Sequence, residues 1–168
     1  MNKALIVIDV QNFLLDSKTK GIVRKIRNYL EKNTKKYSLI YFTVFKNDNK
    51  SSLWKISGWK DCNASPDTDI CEDIKEFTNN DNLFYKNILS AFKVPQIREG
   101  LKKNGISEVD LCGFDTDCCV LATAYDLFDN GVKPTVLENL TWSTSKENLH
   151  NPAIQMLERN IGFVDKAE

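Results

Sequence analysis

Two adjacent cysteines, Cys118 and Cys119, stand where the sequence predicts the start of a helix. The apolar residues 109–112 predict a buried strand that ends at Gly113, and the apolar residues after the cysteines recur three and four positions apart, as on one helix face. A thiol in the first turn of a helix lies beside backbone N–H groups and the positive end of the helix dipole, which stabilise a thiolate. The same N–H groups can hold an oxyanion, so this stretch favours a nucleophilic cysteine.

The same stretch has a second, structural interpretation. Free cysteines are among the most often buried residue types, and on these residues alone inert packing is as good an explanation as catalysis. Thr116 and Asp117 are residue types preferred at helix N-caps, so we expect them to cap this helix. Gly131 stands where a C-terminal cap requires positive φ.

Two charged residues, Asp9 and Lys86, also stand at predicted strand ends. Asp9 follows the apolar residues 4–8, which predict a buried strand of a parallel sheet. A carboxylate at that point lies at the edge where α/β proteins bind ligands, although most such aspartates only close a turn. Lys86 follows a short predicted edge strand, residues 82–85, and by itself is typical of a solvated charge.

The rest of the chain predicts the elements that would position these residues. Apolar periodicity predicts strands and helices in alternation, which favours right-handed crossovers and a parallel sheet in an α/β fold. The predicted strands are residues 4–8, 38–45, 82–85, 109–112, 132–137 and 161–164, and the predicted helices lie near residues 22–30, 95–105, 116–131 and 149–157.

The segment 46–81 interrupts this alternation. It is polar, yet it contains Trp54 and Trp59, which argue against disorder. A loop of this length is usually functional or disordered. We interpret it as a partly ordered cover over the site, with a short helix at residues 69–77; an ordinary surface excursion is the alternative.

Length and composition limit the class of protein. The 168 residues predict one domain, 1–168, and 23 basic and 23 acidic residues give no net charge that would favour nucleic acid or a membrane surface. We expect no signal peptide and no membrane span. The five cysteines are odd in number and lack metal-ligand spacing, which predicts reduced thiols, a cytoplasmic location and no bound metal or cofactor. His150 is the single histidine, and we expect it to be structural.

Three motifs in register resemble one known family. They are Ile-Asp-Val-Gln-Asn-Phe at residues 8–13, Lys86 with Ser-Ala-Phe at residues 90–92, and Gly-Phe-Asp-Thr-Asp-Cys-Cys-Val at residues 113–120 with Ala124. Together they resemble the isochorismatase-like cysteine hydrolases, which include nicotinamidases and carbamoyl-amide hydrolases, over nearly the whole chain. The resemblance implies a three-layer α/β/α, Rossmann-like fold with a six-stranded parallel sheet in the order 3-2-1-4-5-6.

The resemblance also implies roles for particular residues. Asp9 matches the acid/base aspartate, Lys86 the lysine and Cys119 the nucleophile of a catalytic triad, with Cys118 at a variable position. A cis peptide bond would join Phe114 to Asp115, and the N–H groups of Asp115 and Cys119 would bind the oxyanion. The implied reaction is hydrolysis of an amide-type C–N bond of a small molecule through a thioester, by a homo-oligomer (dimer or tetramer). The residues that we expect to contact the substrate are Gln11, Phe13, Trp54, Phe92 and Phe114.

Departures from the family pattern narrow the prediction. Residues 46–59 contain no histidine, which disfavours a metal-dependent nicotinamidase, and Cys119 disfavours the vinyl-ether hydrolysis of isochorismatases proper, which lack that cysteine. Asp115 replaces a small apolar residue. It predicts a negative charge in the pocket that disfavours anionic substrates, unless it points away and caps the helix.

Other functions remain open on the sequence. A non-catalytic binding or assembly protein could keep the fold, although the intact triad argues against it. A thiol redox protein could use Cys118 and Cys119, although adjacent cysteines seldom form an unstrained disulfide. A phosphoryl-transfer enzyme could use Asp9, but it would normally show a second carboxylate beside it.

Overall fold

Six parallel strands form one sheet in the computed structural model, which describes residues 2–167. Their spatial order is β3-β2-β1-β4-β5-β6, so the predicted order and the α/β fold are confirmed. The strands are β1 (Lys3–Ile8), β2 (Leu39–Phe45), β3 (Leu83–Lys86), β4 (Glu108–Gly113), β5 (Lys133–Thr141) and β6 (Val164–Asp165).

Helices cover both faces of the sheet. One hydrophobic cluster joins Ala4, Ile6 and Ile8 to the later helices, and a second joins Leu5 and Val7 to the first helix. Alternate residues of β1 therefore face opposite cores, which explains why this strand is apolar throughout rather than alternating. The α-helices are α1 (Thr19–Asn33), α2 (Ser52–Lys55), α3 (Glu72–Lys75), α4 (Pro95–Lys103), α5 (Leu121–Asp129) and α6 (Glu147–Asn160). Between residues 2 and 167, no helix has the length and apolarity needed to cross a bilayer.

The register of the sheet brings the carboxyl ends of the central strands to one place. Ile8 pairs with Gly113 on one side and with Thr43 on the other, and Phe45 pairs with Lys86. Because all these strands are parallel, Asp9, Lys86 and the turn after Gly113 meet at the same edge.

Gly113 makes the closest backbone approach at this edge. Its φ is +109°, and a Cβ atom there would overlap the carbonyl oxygen of Ile8 and lie 2.7 Å from the Ile8 nitrogen. The next residue, Phe114, donates its N–H to the same Ile8 oxygen at 2.8 Å. Glycine is therefore required for β4 to leave the sheet directly beside β1.

The long polar segment folds against the end of the sheet. The buried Asn47 donates to the carbonyl oxygens of Trp59 at 2.8 Å and Asp61 at 3.2 Å, and Gln11 forms an isolated antiparallel bridge with Ile70. The predicted helix of this segment is present as α3, which is shorter than residues 69–77. These buried hydrogen bonds fix the segment beside Asp9 rather than leaving it as an open excursion.

The start of the central helix differs from the prediction. Thr116–Val120 form one π-helical turn before α5, and no side chain caps it. The Thr116 hydroxyl is buried and bonds instead to Thr141 Oγ1 at 3.0 Å and His150 Nδ1 at 2.8 Å, while Asp117 accepts from Ser143. The predicted N-cap role of Thr116 and Asp117 is therefore wrong, because Thr116 bonds to the end of β5 and to α6, and Asp117 bonds to Ser143 just after β5.

The end of the sheet also differs in its boundaries. β5 continues to Thr141, four residues beyond the predicted strand, and β6 is the pair Val164–Asp165 rather than residues 161–164. The extension matters for the site, because it carries the chain to Thr144 beside the turn at Asp115.

Candidate active site

Lys86 and Asp9 form a buried ion pair at the carboxyl end of the sheet. Lys86 Nζ lies 2.6 Å from Asp9 Oδ2, and the two side chains are 0% and 1% exposed. The same Nζ lies 3.3 Å from the sulfur of Cys119. The three residues that the family resemblance singled out are thus brought together, although they lie in three separate regions of the sequence.

A hydroxyl from the neighbouring strand fixes the Asp9 carboxylate. Thr43 Oγ1 donates to Asp9 Oδ1 at 2.7 Å and also lies 3.3 Å from the Asp9 nitrogen. Asp9 itself has φ +51°, a left-handed conformation that aspartate tolerates better than most residues. One carboxylate oxygen is therefore held by Thr43 and the other by Lys86.

Backbone carbonyls complete the surroundings of Lys86. Its Nζ donates to the oxygens of Ile88 at 3.1 Å and Leu89 at 3.0 Å. Burial lowers the pKa of Lys86, but the adjacent Asp9 and Cys119 outweigh burial, so that the net shift is upward. Lys86 is accordingly a fixed cation, because an ammonium has three protons and carbonyl or carboxylate oxygens can accept all of them.

Cys119 is buried and anchored through its backbone. Thr123 Oγ1 donates to the Cys119 carbonyl at 2.7 Å and accepts from the Ala91 N–H at 2.9 Å, which links the turn of Cys119 to the segment after β3. The hydrogen bond between the two adjacent thiols raises the pKa of Cys119 and lowers that of Cys118. Burial and Asp9 raise the pKa of Cys119 further, against Lys86, so that the net shift is upward, opposite to the direction that the helix start suggested.

The turn between β4 and Cys119 contains a cis peptide bond between Phe114 and Asp115. The carbonyl oxygen of Asp115 accepts from the N–H groups of Cys118 and Val120, each at 3.1 Å. These bonds close the turn with N–H groups other than those of Asp115 and Cys119, which the resemblance assigns to the oxyanion.

A cavity of about 180 Å³ opens above these groups. It is smaller than the roughly 300–1,000 Å³ of pockets that take drug-sized ligands. Its walls are largely aromatic and aliphatic. The titratable residues among them are Asp9, Asp115 and the cysteines Cys62, Cys118 and Cys119. The lining residues are Asp9, Gln11, Phe13, Leu14, Phe45, Leu53, Trp59, Cys62, Leu89, Asp115, Cys118, Cys119 and Thr144.

The comparison with protein families agrees with this geometry. A model of the isochorismatase domain matches residues 3–168, which is nearly the whole chain. The chain belongs to the isochorismatase family. The predicted family is therefore confirmed.

The chain is similar to known proteins in sequence and in fold. The chain is 27% identical to Nicotinamidase 3 of Arabidopsis thaliana over 96% of this chain and 83% of that protein. An isochorismatase-like hydrolase from Alkaliphilus metalliredigens superposes with a TM-score of 0.85 at 19% identity, covering 99% of this chain and 96% of the other. N-carbamoylsarcosine amidase from Thermoplasma acidophilum superposes with a TM-score of 0.84 at 21% identity, covering 100% and 98%.

The residues predicted to contact substrate fall into two groups. Phe13 and Gln11 line the cavity. The Gln11 side-chain amide, however, is already bonded, since its Oε1 accepts from Phe45 N at 2.7 Å and its Nε2 donates to Phe45 O at 2.9 Å. Gln11 therefore shapes the floor of the cavity by tying it to β2.

Trp54, Phe92 and Phe114 lie outside the cavity, so their prediction as wall residues is corrected. Phe114 is fully buried in the core on the α1 face, and Phe92 is buried in the core on the opposite face. Trp54 lies under Lys60, whose Nζ is 4.3 Å from the ring centroid. For Trp54 and Phe114 the reason is local: each is next to a cavity residue, Leu53 or Asp115, and consecutive side chains of a turn or short helix point in different directions.

Sequence reasoning missed several residues of the wall. Trp59 stacks against Phe45 with ring centroids 6.1 Å apart and meets the edge of Phe13 at 5.7 Å. Phe45 ends β2 beside Asp9, a position that the strand pattern alone could have indicated. Thr43 is the polar residue inside an otherwise apolar strand, which was also an available signal, whereas Leu53, Leu89 and Thr144 carry none.

Residues 2–167 contain no cluster of three or more His, Cys, Asp or Glu side chains that could hold a metal ion. His150 is buried, bonded to Thr116 and packed 4.5 Å from the Trp142 ring, and it is not among the residues that line the cavity.

Proposed function

We propose that this protein is a cysteine hydrolase that cleaves the C–N bond of a small amide through a thioester on Cys119. The observation that supports the proposal most directly is the placement of Lys86 Nζ 2.6 Å from the Asp9 carboxylate and 3.3 Å from the Cys119 sulfur at the floor of a small cavity. A nucleophile and a base that both lie against one fixed cation are suited to covalent hydrolysis of an amide.

The first half of the reaction transfers the acyl group to sulfur. The Asp9 carboxylate removes the proton of the Cys119 thiol as the sulfur attacks the substrate carbonyl carbon. The raised pKa of the Cys119 thiol makes this base necessary, and Lys86 stabilises the sulfur as it becomes anionic. The N–H groups of Asp115 and Cys119 bind the carbonyl oxygen, an arrangement that contributes roughly 3 kcal/mol per donor. The protonated Asp9 then gives its proton to the leaving nitrogen, and the C–N bond breaks.

The second half releases the acid. Water attacks the thioester carbonyl while Asp9 accepts one of its protons, and the C–S bond breaks with return of a proton to the Cys119 sulfur. Thr43 and Lys86 keep the carboxylate in one orientation through both halves, because each holds one of its oxygens. Positioning of this kind is a large part of what an enzyme contributes to such a reaction.

The size of the cavity and the names of the relatives support a small amide as substrate. Nicotinamidase 3 and N-carbamoylsarcosine amidase are both named as enzymes of small amide or carbamoyl compounds. The cavity of about 180 Å³ fits a molecule of that scale. Its mainly apolar wall favours a compact group beside the amide rather than a long polar chain.

The test is release of ammonia from a panel of small carboxamides and ureido compounds. We expect at least one compound to be hydrolysed by the wild-type protein and by Cys118→Ala, but not by Cys119→Ala. Mass spectrometry of the protein mixed rapidly with that substrate should show an acyl adduct on the Cys119 peptide. Absence of hydrolysis across the whole panel, with correctly folded protein, would instead favour a non-catalytic binding or assembly protein.

The proposal also covers the oligomeric state and the cellular location of the protein. The family resemblance supports a homo-oligomer, dimer or tetramer, which light scattering of the purified protein would measure. The reduced state of all five cysteines in the structure is compatible with a cytoplasmic enzyme.

A further inference from the structure

Asp115 brings a second carboxylate into the cavity, separate from the Asp9–Lys86 pair. Thr144 holds both of its oxygens: the Thr144 N–H donates to Oδ1 at 2.8 Å and the hydroxyl donates to Oδ2 at 2.6 Å. Asp115 and Thr144 both line the cavity. The alternative that Asp115 caps the helix is excluded, because its carboxylate makes no capping hydrogen bond.

The charge of Asp115 is not balanced by a protein cation. In the part of the chain that the structure describes, no lysine, arginine or histidine side chain lies within ion-pair distance of Asp115, whereas Asp9 has Lys86. Burial raises the pKa of Asp115, and the nearby Asp117 and Asp9 raise it further against the two bonds from Thr144. A buried carboxylate that is firmly oriented but lacks a counter-charge is costly to keep unless a ligand supplies that charge.

The aromatic part of the cavity wall suits a cation as well. Phe13 and Trp59, which line the same cavity as Asp115, meet edge to face, and Phe13 is 39% exposed. Aromatic faces attract ammonium groups, and the attraction grows as water is excluded. A ligand nitrogen between this wall and Asp115 would therefore meet a carboxylate and aromatic rings together.

We propose that the substrate is a small amide that carries a positively charged nitrogen, and that Asp115, oriented by Thr144, selects it over neutral and anionic amides. This inference rests on the proposed function, because it assigns the substrate class of the same site. Anionic amides are excluded by repulsion from the same carboxylate.

The test compares three amides of similar shape. They are (trimethylammonio)acetamide, its neutral isostere 3,3-dimethylbutanamide, in which carbon replaces the charged nitrogen, and anionic malonamate. Asp115→Asn is the informative variant, because its side-chain oxygen can still accept from the Thr144 N–H and its amide can donate to the Thr144 hydroxyl, so that only the charge is lost. Asp117→Asn is the matched control: it removes an acidic group two residues away that does not line the cavity.

We expect Asp115→Asn to lower kcat/KM for the cationic amide at least tenfold, to change the neutral amide less than threefold and to raise the anionic amide. Asp117→Asn should alter the cationic-to-neutral ratio less than threefold. Equal changes for all three amides in Asp115→Asn would overturn the proposal and make Asp115 a structural residue.

A binding measurement separates this inference from the proposed function. Calorimetry on Cys119→Ser, which retains the cavity, should show tighter binding of (trimethylammonio)acetamide than of 3,3-dimethylbutanamide by at least tenfold, and Asp115→Asn in that background should abolish the difference. If the wild-type protein hydrolyses no amide but this binding preference holds, the proposed function fails and the inference of a cationic ligand stands. Equal binding of the two isosteres overturns the inference whatever the catalytic result.

Discussion

Asp9 and Lys86 neutralise one another as a pair of fully buried side chains, with 2.6 Å between Oδ2 and Nζ. Removing one member of a buried pair leaves the other uncompensated, which typically costs about 3–5 kcal/mol, whereas replacing both by neutral groups is far less costly. We therefore predict that Lys86→Met and Asp9→Asn each lower the free energy of unfolding by about that amount. Urea unfolding of both variants measures it.

The double variant Asp9→Asn/Lys86→Met distinguishes a charge effect from a packing effect. It should recover much of the stability lost in each single variant and yet remain inactive. The control Lys75→Met, which breaks an exposed pair with Glu72, should change stability by less than about 1 kcal/mol. Additive losses in the double variant would show that the pair is not electrostatically coupled.

Cys119 and Cys118 should differ sharply when each is replaced by alanine. Cys119 is buried and lies against Lys86, whereas Cys118 is half-buried. Cys119→Ala should lower kcat by several orders of magnitude, as loss of a nucleophile typically does, and Cys118→Ala by less than about tenfold. Far-ultraviolet circular dichroism should show the same fold in both. A reversal of the two effects would assign the nucleophile to Cys118.

The activity should not depend on a bound metal ion. The donor set around the cavity is two carboxylates and three thiols without a histidine, and one of the carboxylates is engaged by Lys86 and the other by Thr144. Incubation with EDTA followed by desalting should leave kcat/KM within about twofold of the untreated protein. Loss of activity that zinc or manganese restores would contradict this prediction.

Asp115 should reduce the stability of the protein at neutral pH. Its pKa is raised by burial in the folded state, so the folded protein favours the protonated form. The stabilising contribution is therefore complete below the unfolded pKa of about 4 and is lost as pH rises through the folded value. Asp115→Asn, which has no charge at any pH, should melt at a higher temperature than the wild type at pH 7.

The pH dependence of that difference is the decisive measurement. The gap in melting temperature between Asp115→Asn and wild type should shrink as pH falls toward 4, because Asp115 becomes protonated in the folded protein. A gap that stays constant from pH 8 to pH 4 would mean that the substitution acts through packing. A gap that shrinks would mean that Asp115 costs stability at neutral pH. Loss of stability in exchange for function is a common trade-off for residues kept in an unfavourable environment.

The sequence predicted the positions that depend on sheet topology and failed at those that depend on loop conformation. Asp9 and Lys86 were placed correctly at one edge, because parallel strands end together whatever the loops do. Trp54 and Trp59 could not be distinguished, since their segment is without helical or strand periodicity that would tell which ring faces Asp9. In the structure Trp59 lines the cavity with Asp9, and the hydrogen bond from Asn47 to the Trp59 carbonyl helps to hold it there.

The surroundings of Asp115 also depend on loop conformation and could not be predicted in full from the sequence. The position of this aspartate in the turn predicted a carboxylate near the cavity. The sequence could not exclude that Asp115 caps the helix instead, because that depends on where Thr144 lies. Thr144 is 29 residues away and carries no motif. It reaches Asp115 because β5 runs on to Thr141, an extension that the apolar pattern of residues 132–137 does not indicate.

The close approach of Gly113 to Ile8 has a consequence for how this protein can diversify. Asp9 directly follows β1, which pairs with β4 at Gly113, and the turn after Gly113 leads to Cys119, so any side chain at Gly113 would displace Asp9 and Cys119 together. Laboratory evolution should therefore tolerate no substitution at Gly113. The part of the cavity wall made by Phe13, Leu53 and Trp59 comes from turns and a four-residue helix that can change without moving the sheet. Libraries that aim at new substrates should therefore randomise that wall and leave the glycine untouched.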